Sequence, residues 1–355
     1  MNKYLSVKLK VISFMLMILV VLIHSQNIGT TPMAGNIVIA HGYSFYFQSI
    51  ISNGICLIAV PLFFSISGYL FFLRFEGSFT EFNTKITKRV RSLVVPYLFW
   101  SIGVLLFIFS LQLLPVSKYL FESKFIKDYS ITELLIKIFI LPIPLQLWFV
   151  RDLIVLTFIS PFIYWLIKGL KLISIVIFFI TWVIDFDFVI LSNTSLLFFF
   201  IGAYLSINKK TILLNDFSKR YWIYIGFWFV LIFIKVTLLY LYFQNQIILN
   251  LLNDACIITG VIAIWSLYDF LFKNKDLSIS KYYGIFSFSF FIYAFHIPSL
   301  PFLIKVIFYF LGKTEFVSLL NYITAPIIII FFSIISGNYL KHNTPAFYRI
   351  ITGGR

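Results

Sequence analysis

Apolar runs recur along almost the whole of this 355-residue chain, and no other feature limits its fold as much. Ten can be read, at roughly residues 5–23, 50–72, 93–114, 146–167, 172–190, 193–207, 221–243, 250–271, 283–310 and 317–340. A helix needs about 20 mostly apolar residues to cross the hydrocarbon of a bilayer. Apolar types make up 61% of the chain and charged types 12%, against roughly 45–50% and 25% in average globular chains. A water-soluble fold would be left with large exposed apolar patches. Lipid as solvent removes that problem. Each span must be a helix, because a segment isolated in hydrocarbon has to satisfy its own backbone polar groups. The expected fold class is an all-α integral-membrane bundle of about ten transmembrane helices. A soluble enzyme, a disordered chain and a secreted disulfide scaffold are excluded.

The first span has a core of only 13 apolar residues, Val11–Ile23, and reaches full length by including Lys8 and Lys10, which can snorkel. Ser25, Gln26 and Asn27 offer no small-residue cleavage pattern, so an uncleaved helix is expected. The basic residues set the orientation. With the N-terminus inside, 20 of the 28 Lys and Arg fall in cytoplasmic segments, among them Lys85, Lys88, Arg89 and Arg91. Five fall outside (Lys118, Lys124, Lys127, Lys137 and Lys313), and three lie within spans (Arg151, Lys235 and Lys305). Both termini are therefore expected in the cytoplasm. Residues 1–345 form the membrane domain and 346–355 a short cytoplasmic tail. The net charge of +15 belongs to this asymmetry and implies no nucleic-acid partner. The outer segment near 115–145 can hold a surface helix around Ile131–Ile140, and the loop around Asp185 and Asp187 separates the fifth and sixth spans. Cys56 and Cys256 belong to no CxxC pair, so neither a structural disulfide nor a zinc site is expected.

Charge inside a bilayer costs at least about 2.5–3.5 kcal/mol, so it marks a functional site by default. Four places stand out. His24 ends the first span, as a catalytic group or as an interfacial histidine. Arg89 and Arg91, with Lys85 and Lys88, precede Pro96–Tyr97, as an anion site or as plain positive-inside anchoring. The run Leu147-Trp148-Phe149-Val150-Arg151-Asp152-Leu153 opens the fourth span. Adjacent residues point about 100° apart on a helix, so Arg151 and Asp152 are expected to pair with different helices. In the ninth span Ser289, Tyr293 and His296 share one helix face, before Pro298 and Pro301 kink or end it. Their polar stripe either serves the chemistry or hydrogen-bonds between helices. Lys235 sits mid-span without an evident partner. Nucleotide-binding loops, HExxH and GxSxG are missing, and four histidines make a multi-histidine metal site unlikely to form, so no metal is expected.

Together these places resemble the acyltransferase-3 family of bacterial membrane acyltransferases over roughly residues 5–340. The matching features come in order: His24 closing the first helix; Pro61-Leu62-Phe63-Phe64-Ser65-Ile66-Ser67-Gly68-Tyr69-Leu70; the basic run before Pro96–Tyr97; Leu147–Leu153; and Ser289–Pro298. Family members move acyl groups, most often acetyl, from cytoplasmic acyl-coenzyme A to hydroxyls of extracytoplasmic glycans. The resemblance implies a multi-pass protein of the bacterial inner membrane. It implies His24 as catalytic residue, with acyl-coenzyme A as co-substrate and no permanently bound cofactor. Arg89, Arg91, Lys88 and Lys10 would hold the donor. The family's basic residue eleven positions before the histidine is Ser13 here, with Lys10 one turn earlier, and Ser92 stands where a further basic residue is common.

On this reading the donor's phosphates sit at the inner basic run and the pantetheine arm reaches up the bundle, where Ser67–Gly68 allows close helix approach. His24 deprotonates a sugar hydroxyl, or takes the acyl group itself. Arg151, Tyr293 and His296 are candidates to steady the oxyanion, with Ser67, Trp148, Asp152 and Ser289 lining the site. Acceptors consistent with this are O-antigen, capsule, exopolysaccharide, peptidoglycan or a small glycoside. A transporter or flippase for a lipid-linked glycan or small anion is the main alternative, disfavoured by the lack of repeated halves. A non-catalytic scaffold is the third.

Overall fold

The computed structural model describes residues 2–28, 41–114, 124–186, 188, 190–210, 213, 215–275, 277–280 and 283–354. Lys118, Asp187, Lys281 and Arg355 lie outside the described residues. Among the described residues all regular structure is helical. Helix α1 (Lys3–Ser25) starts where Asn2 accepts the Tyr4 N–H at 3.0 Å. Helices α2 (Tyr43–Ser52) and α3 (Ala59–Phe72) are two parts of one apolar rod, interrupted at Asn53–Gly54. Helix α4 (Phe79–Arg89) opens on a capping box of Ser78 and Glu81 and runs through a π-turn, Val90–Val94, into α5 (Val95–Gln112). The wider turn suits Pro96, which has no N–H to donate and crowds the carbonyl four residues back. The basic run is thus part of a continuous 34-residue helical segment, not of a loop.

The expected surface helix is α6 (Ile131–Phe139), capped by Ser130 and Glu133. Lys124 and the Ser130 N–H hold the Glu133 carboxyl down to about 2. Helices α7 (Trp148–Phe158) and α8 (Ser160–Leu170) meet at a 66° bend. Pro161 accounts for the bend, since its ring blocks the Thr157 carbonyl. Next come α9 (Leu172–Val183), α10 (Asn193–Ile207), α11 (Tyr221–Tyr240) and α12 (Gln246–Phe272). The chain ends with α13 (Ser289–Leu311), kinked at Ile297, then α14 (Glu315–Asn343) and α15 (Pro345–Thr352).

Among the described residues, seven segments are long and apolar enough to cross a membrane, or eight if the bent α7–α8 pair is one span. The chain is therefore a multi-pass helical membrane protein. All ten expected segments are helical, but the fourth is broken and α9 and α10 have only 12 and 15 residues. At 1.5 Å per residue they reach roughly 18 and 22 Å, short of the ~30 Å core. The expected tail is largely a docked helix. Trp100 donates to the Ile351 carbonyl at 2.9 Å, and Tyr348 and Ile351 are buried.

Two lysines decide how the long helices stand. Lys8 does not snorkel, contrary to expectation. It is fully buried, its ammonium bonds Asp269 Oδ1 at 2.6 Å and lies 3.8 Å from the centre of the Trp265 ring, and Tyr4 donates to the same oxygen at 2.5 Å. A carboxylate on the neighbouring helix removes the reason to reach for water. The start of α1 is thereby level with the end of α12, so His24 and the start of α12 lie towards the opposite end of the bundle. Lys235 donates to the Asn53 carbonyl at 2.8 Å and to Asn253 Oδ1 at 2.6 Å, which ties the α2–α3 break and α12 to α11.

Helices α3 and α10 approach through glycine. A methyl at Gly68 would meet the Phe199 carbonyl, and one at Gly202 the Ser65 carbonyl. Small residues give this closeness in lipid. Gly202→Ala is expected to cost about 1–3 kcal/mol through overpacking. It should appear as a lower thermal midpoint and less monodisperse protein, and an unchanged midpoint would contradict the close approach.

Candidate active site

The end of α1 is held by a polar knot. Asn27 donates its backbone N–H to Gln48 Oε1 and its side-chain amide to the Ser318 carbonyl, both at 3.1 Å. Ser318 and Gln48 donate back to Asn27 Oδ1 at 2.6 and 3.1 Å. Ser52 and Tyr322 join hydroxyls at 2.9 Å, and Ser52 also donates to the Leu22 carbonyl at 3.2 Å. Asn27, Gln48 and Ser318 are all fully buried. This knot binds α1 to α2 and α14 one turn beyond His24, and so sets where the imidazole stands. Sequence reasoning missed it, although a Gln inside the apolar run Phe45–Ile51 was a signal.

His24 faces His296 of α13, with 5.2 Å between ring centroids. His296 is fully buried. Its Nδ1 lies 3.3 Å from the Ile292 carbonyl, and its Nε2 is buried without a partner. A carbonyl only accepts, so Nδ1 carries the proton and Nε2 presents a lone pair. The Tyr293 ring centroid is 6.2 Å from that of His296, and its hydroxyl donates to the Gln146 carbonyl. The expected polar face of α13 thus meets the end of α1.

Below these rings lies a cavity of about 500 Å³. It follows α1 from Ser6 to Met17, roughly 16 Å at helical rise. Lys10, Ser13, Ser67, Arg89, Ser289 and Tyr293 all line it. Among the described residues its charged lining is Lys10 and Arg89, and no carboxylate pairs with either. The Lys10 ammonium lies 3.9 Å from the centre of the Tyr283 ring. Lys88 and Arg91 do not line the cavity and are exposed. Residues two apart on a helix point to nearly opposite sides, so Arg89 and Arg91 cannot both face inward. Ser13, three residues after Lys10, also lines the cavity.

The structure corrects the expectation for Arg151 and Asp152, which pair with each other. The guanidinium bonds Asp152 Oδ1 at 2.8 and 3.1 Å and donates to the Ile140 carbonyl at 2.7 Å. Asp152, fully buried, also accepts the Ser192 N–H at 3.1 Å through Oδ2 and so fixes the start of α10. A long Arg side chain can fold back across the 100° between neighbours, and a buried carboxylate rewards it for doing so. Arg151 lines a different cavity from Tyr293. Trp148 packs on Phe64, with 6.2 Å between ring centroids, while its neighbour Phe149 faces the cavity of Lys10 and Arg89.

The acyltransferase-3 family model, an acyltransferase domain, covers residues 8–338. The chain belongs to this family. It is a membrane acyltransferase. Its sequence is similar to the "Succinoglycan biosynthesis protein ExoH" of Rhizobium meliloti (strain 1021), 25% identical over 362 residues that take in 100% of this chain and 94% of that one. No solved structure matches it. Of the basic residues Lys85, Lys88, Arg89 and Arg91 of this acyltransferase, Arg89 lines the α1 cavity.

Proposed function

We propose that this acyltransferase moves an acyl group, acetyl by family default, from acyl-coenzyme A to a hydroxyl of an extracytoplasmic glycan, at the inner membrane of a bacterium. The charge of the α1 cavity carries the reading. Among the described residues two cations and no carboxylate line it, and Tyr293 in its wall lies beside His296, which faces His24. A coenzyme A thioester has that polarity, with phosphates at one end and a reactive carbonyl at the other. Charge-assisted bonds from Arg89 and Lys10 hold the phosphates. The slim pantetheine arm passes between Ser67 and Phe149. The relative's part in succinoglycan biosynthesis supports a glycan as acceptor.

In this scheme His24 takes the proton of the attacking hydroxyl. The oxygen adds to the thioester carbonyl, the tetrahedral intermediate collapses, and the departing coenzyme A sulfur receives the proton from His24. His296 Nε2, with its free lone pair, steadies the His24 imidazolium. In this scheme the Lys10–Arg89 end faces the cytoplasm, the side on which 20 of the 28 basic residues are expected from the sequence. Donor binding tests the reading. Acetyl-coenzyme A at 100 times its dissociation constant should stabilise the purified protein by about 2.7 kcal/mol. Hydrogen bonds to charged groups contribute about 1.5–3 kcal/mol, so Arg89→Ala should weaken binding roughly ten- to a hundredfold. Equal affinity in the two proteins would place the donor elsewhere.

A further inference from the structure

A second cavity, of about 560 Å³, lies across α7 from the first, where the end of α9 meets the starts of α10 and α12. Its volume is typical of small-ligand pockets, which run to about 300–1,000 Å³. Trp182, Asp185, Asn193, Asn250, Asn253 and Asp254 line it, with Arg151 in one wall. Because the start of α12 and His24 lie towards the same end of the bundle, this cavity opens on the side of the histidine.

Its chemistry is the reverse of the α1 cavity. Among the described residues two carboxylates and one arginine line it, and the arginine is already bonded to Asp152. Lys235, behind the wall, gives its protons to Asn53 and Asn253. A polyphosphate is therefore disfavoured. What remains is a mixed set of neutral donors and acceptors. Asn253 Oδ1 is held by Lys235 and its amide bonds the Asp254 carboxylate, while Asn250 Oδ1 accepts from Gln246 at 2.7 Å, which leaves the Asn250 NH₂ group as a donor. Asn193 Oδ1 is buried without a partner, an acceptor with no proton to accept. The carboxylates of Asp185 and Asp254 accept as well. Trp182 adds apolar surface, its N–H being used by Thr194 at 3.1 Å. Hydroxyls that both donate and accept, on a ring with an apolar C–H face, match this set.

We propose that the cavity is a subsite for a neutral pyranose of the acceptor, and the proposal rests on the acyl-transfer reading above. His24 does not line it. The sugar it holds therefore flanks the one whose hydroxyl reacts, and the acceptor spans at least two sugar units. Lys235 and Asp152 act as positioning residues, one orienting Asn253 and the other fixing the α10 start that carries Asn193.

The experiment uses the full chain in lipid nanodiscs, since glycoside detergents would compete. Methyl glycosides of glucose, galactose, mannose and N-acetylglucosamine are the probes, followed by saturation-transfer NMR. At least one should bind. Its binding should weaken tenfold or more in Asn193→Ala and Asp254→Ala, and stay unchanged in Arg89→Ala. Asp254→Asn keeps the shape of the wall and should weaken binding several-fold, which decides the matter if the alanine variants fold poorly. No binding by the wild type, or binding that survives in these variants, overturns the subsite. Stabilisation by acetyl-coenzyme A, run in parallel, reports on the acyl-transfer reading separately.

Discussion

His24→Ala is expected to lower acyl transfer roughly 100- to 10,000-fold, the range that a positioned general base contributes, while leaving acetyl-coenzyme A binding intact. On α1 the residues lining the cavity begin at Ser6 and end at Met17, two helical turns short of the histidine, and the proposed phosphate ligands Lys10 and Arg89 belong to that cavity. Removing the imidazole therefore takes away the proton acceptor without touching the anion site. Transfer from labelled acetyl-coenzyme A to membrane glycan measures the loss, and thermal stabilisation by the same donor measures what is kept. His296→Ala should give a smaller loss, because His296 acts through His24. Full transfer activity in His24→Ala would remove His24 as the base and put the proton acceptor elsewhere in the bundle.

The second large effect concerns stability. Asp269→Ala leaves the Lys8 ammonium buried with no carboxylate, and breaking a buried pair from one side costs about 3–5 kcal/mol. The Tyr4 hydroxyl loses its acceptor as well. The loss should be seen as a clear drop in thermal midpoint. Lys8→Met combined with Asp269→Leu should recover most of it, since two apolar side chains leave no charge to solvate. The rescue separates a charge left unpaired from a cavity left empty, because the double variant restores volume without restoring the ion pair. A midpoint unmoved by Asp269→Ala would mean that Lys8 finds water after all.

The two cavities share α7 as their dividing wall. Phe149 and Leu153 face the α1 cavity and Arg151 faces the other. A helix that broke at Pro161 is short enough to stand between two other layers, and α9 and α10, too short to cross the hydrocarbon core, leave room for a polar pocket at their junction. In lipid such irregular packing persists only where it is enclosed by protein, which is consistent with the functional reading of this corner.

Much of the lining of the candidate site was legible in the chain itself. His24, Tyr293, His296, Ser289, Ser67, Lys10 and Arg89 were all singled out, and all of them fall in the α1 cavity or in the rings above it. The signal was local: a polar residue inside an apolar run is costly, and the cost can be read one segment at a time. The surface helix with its Ser130–Glu133 cap was legible for the same reason. Partners were not. Lys8 was expected to reach water, and Arg151 and Asp152 to pair apart. The acid that buries Lys8 is 261 positions away, and the Arg151 bond depends on a side chain folding back along its own helix. By itself the sequence determined that the chain is a bundle of apolar helices and which polar residues that bundle must conceal, because solvation by lipid acts on each segment separately. Which concealed groups meet was decided only by the tertiary structure, because a buried charge is satisfied by whichever helix packs against it.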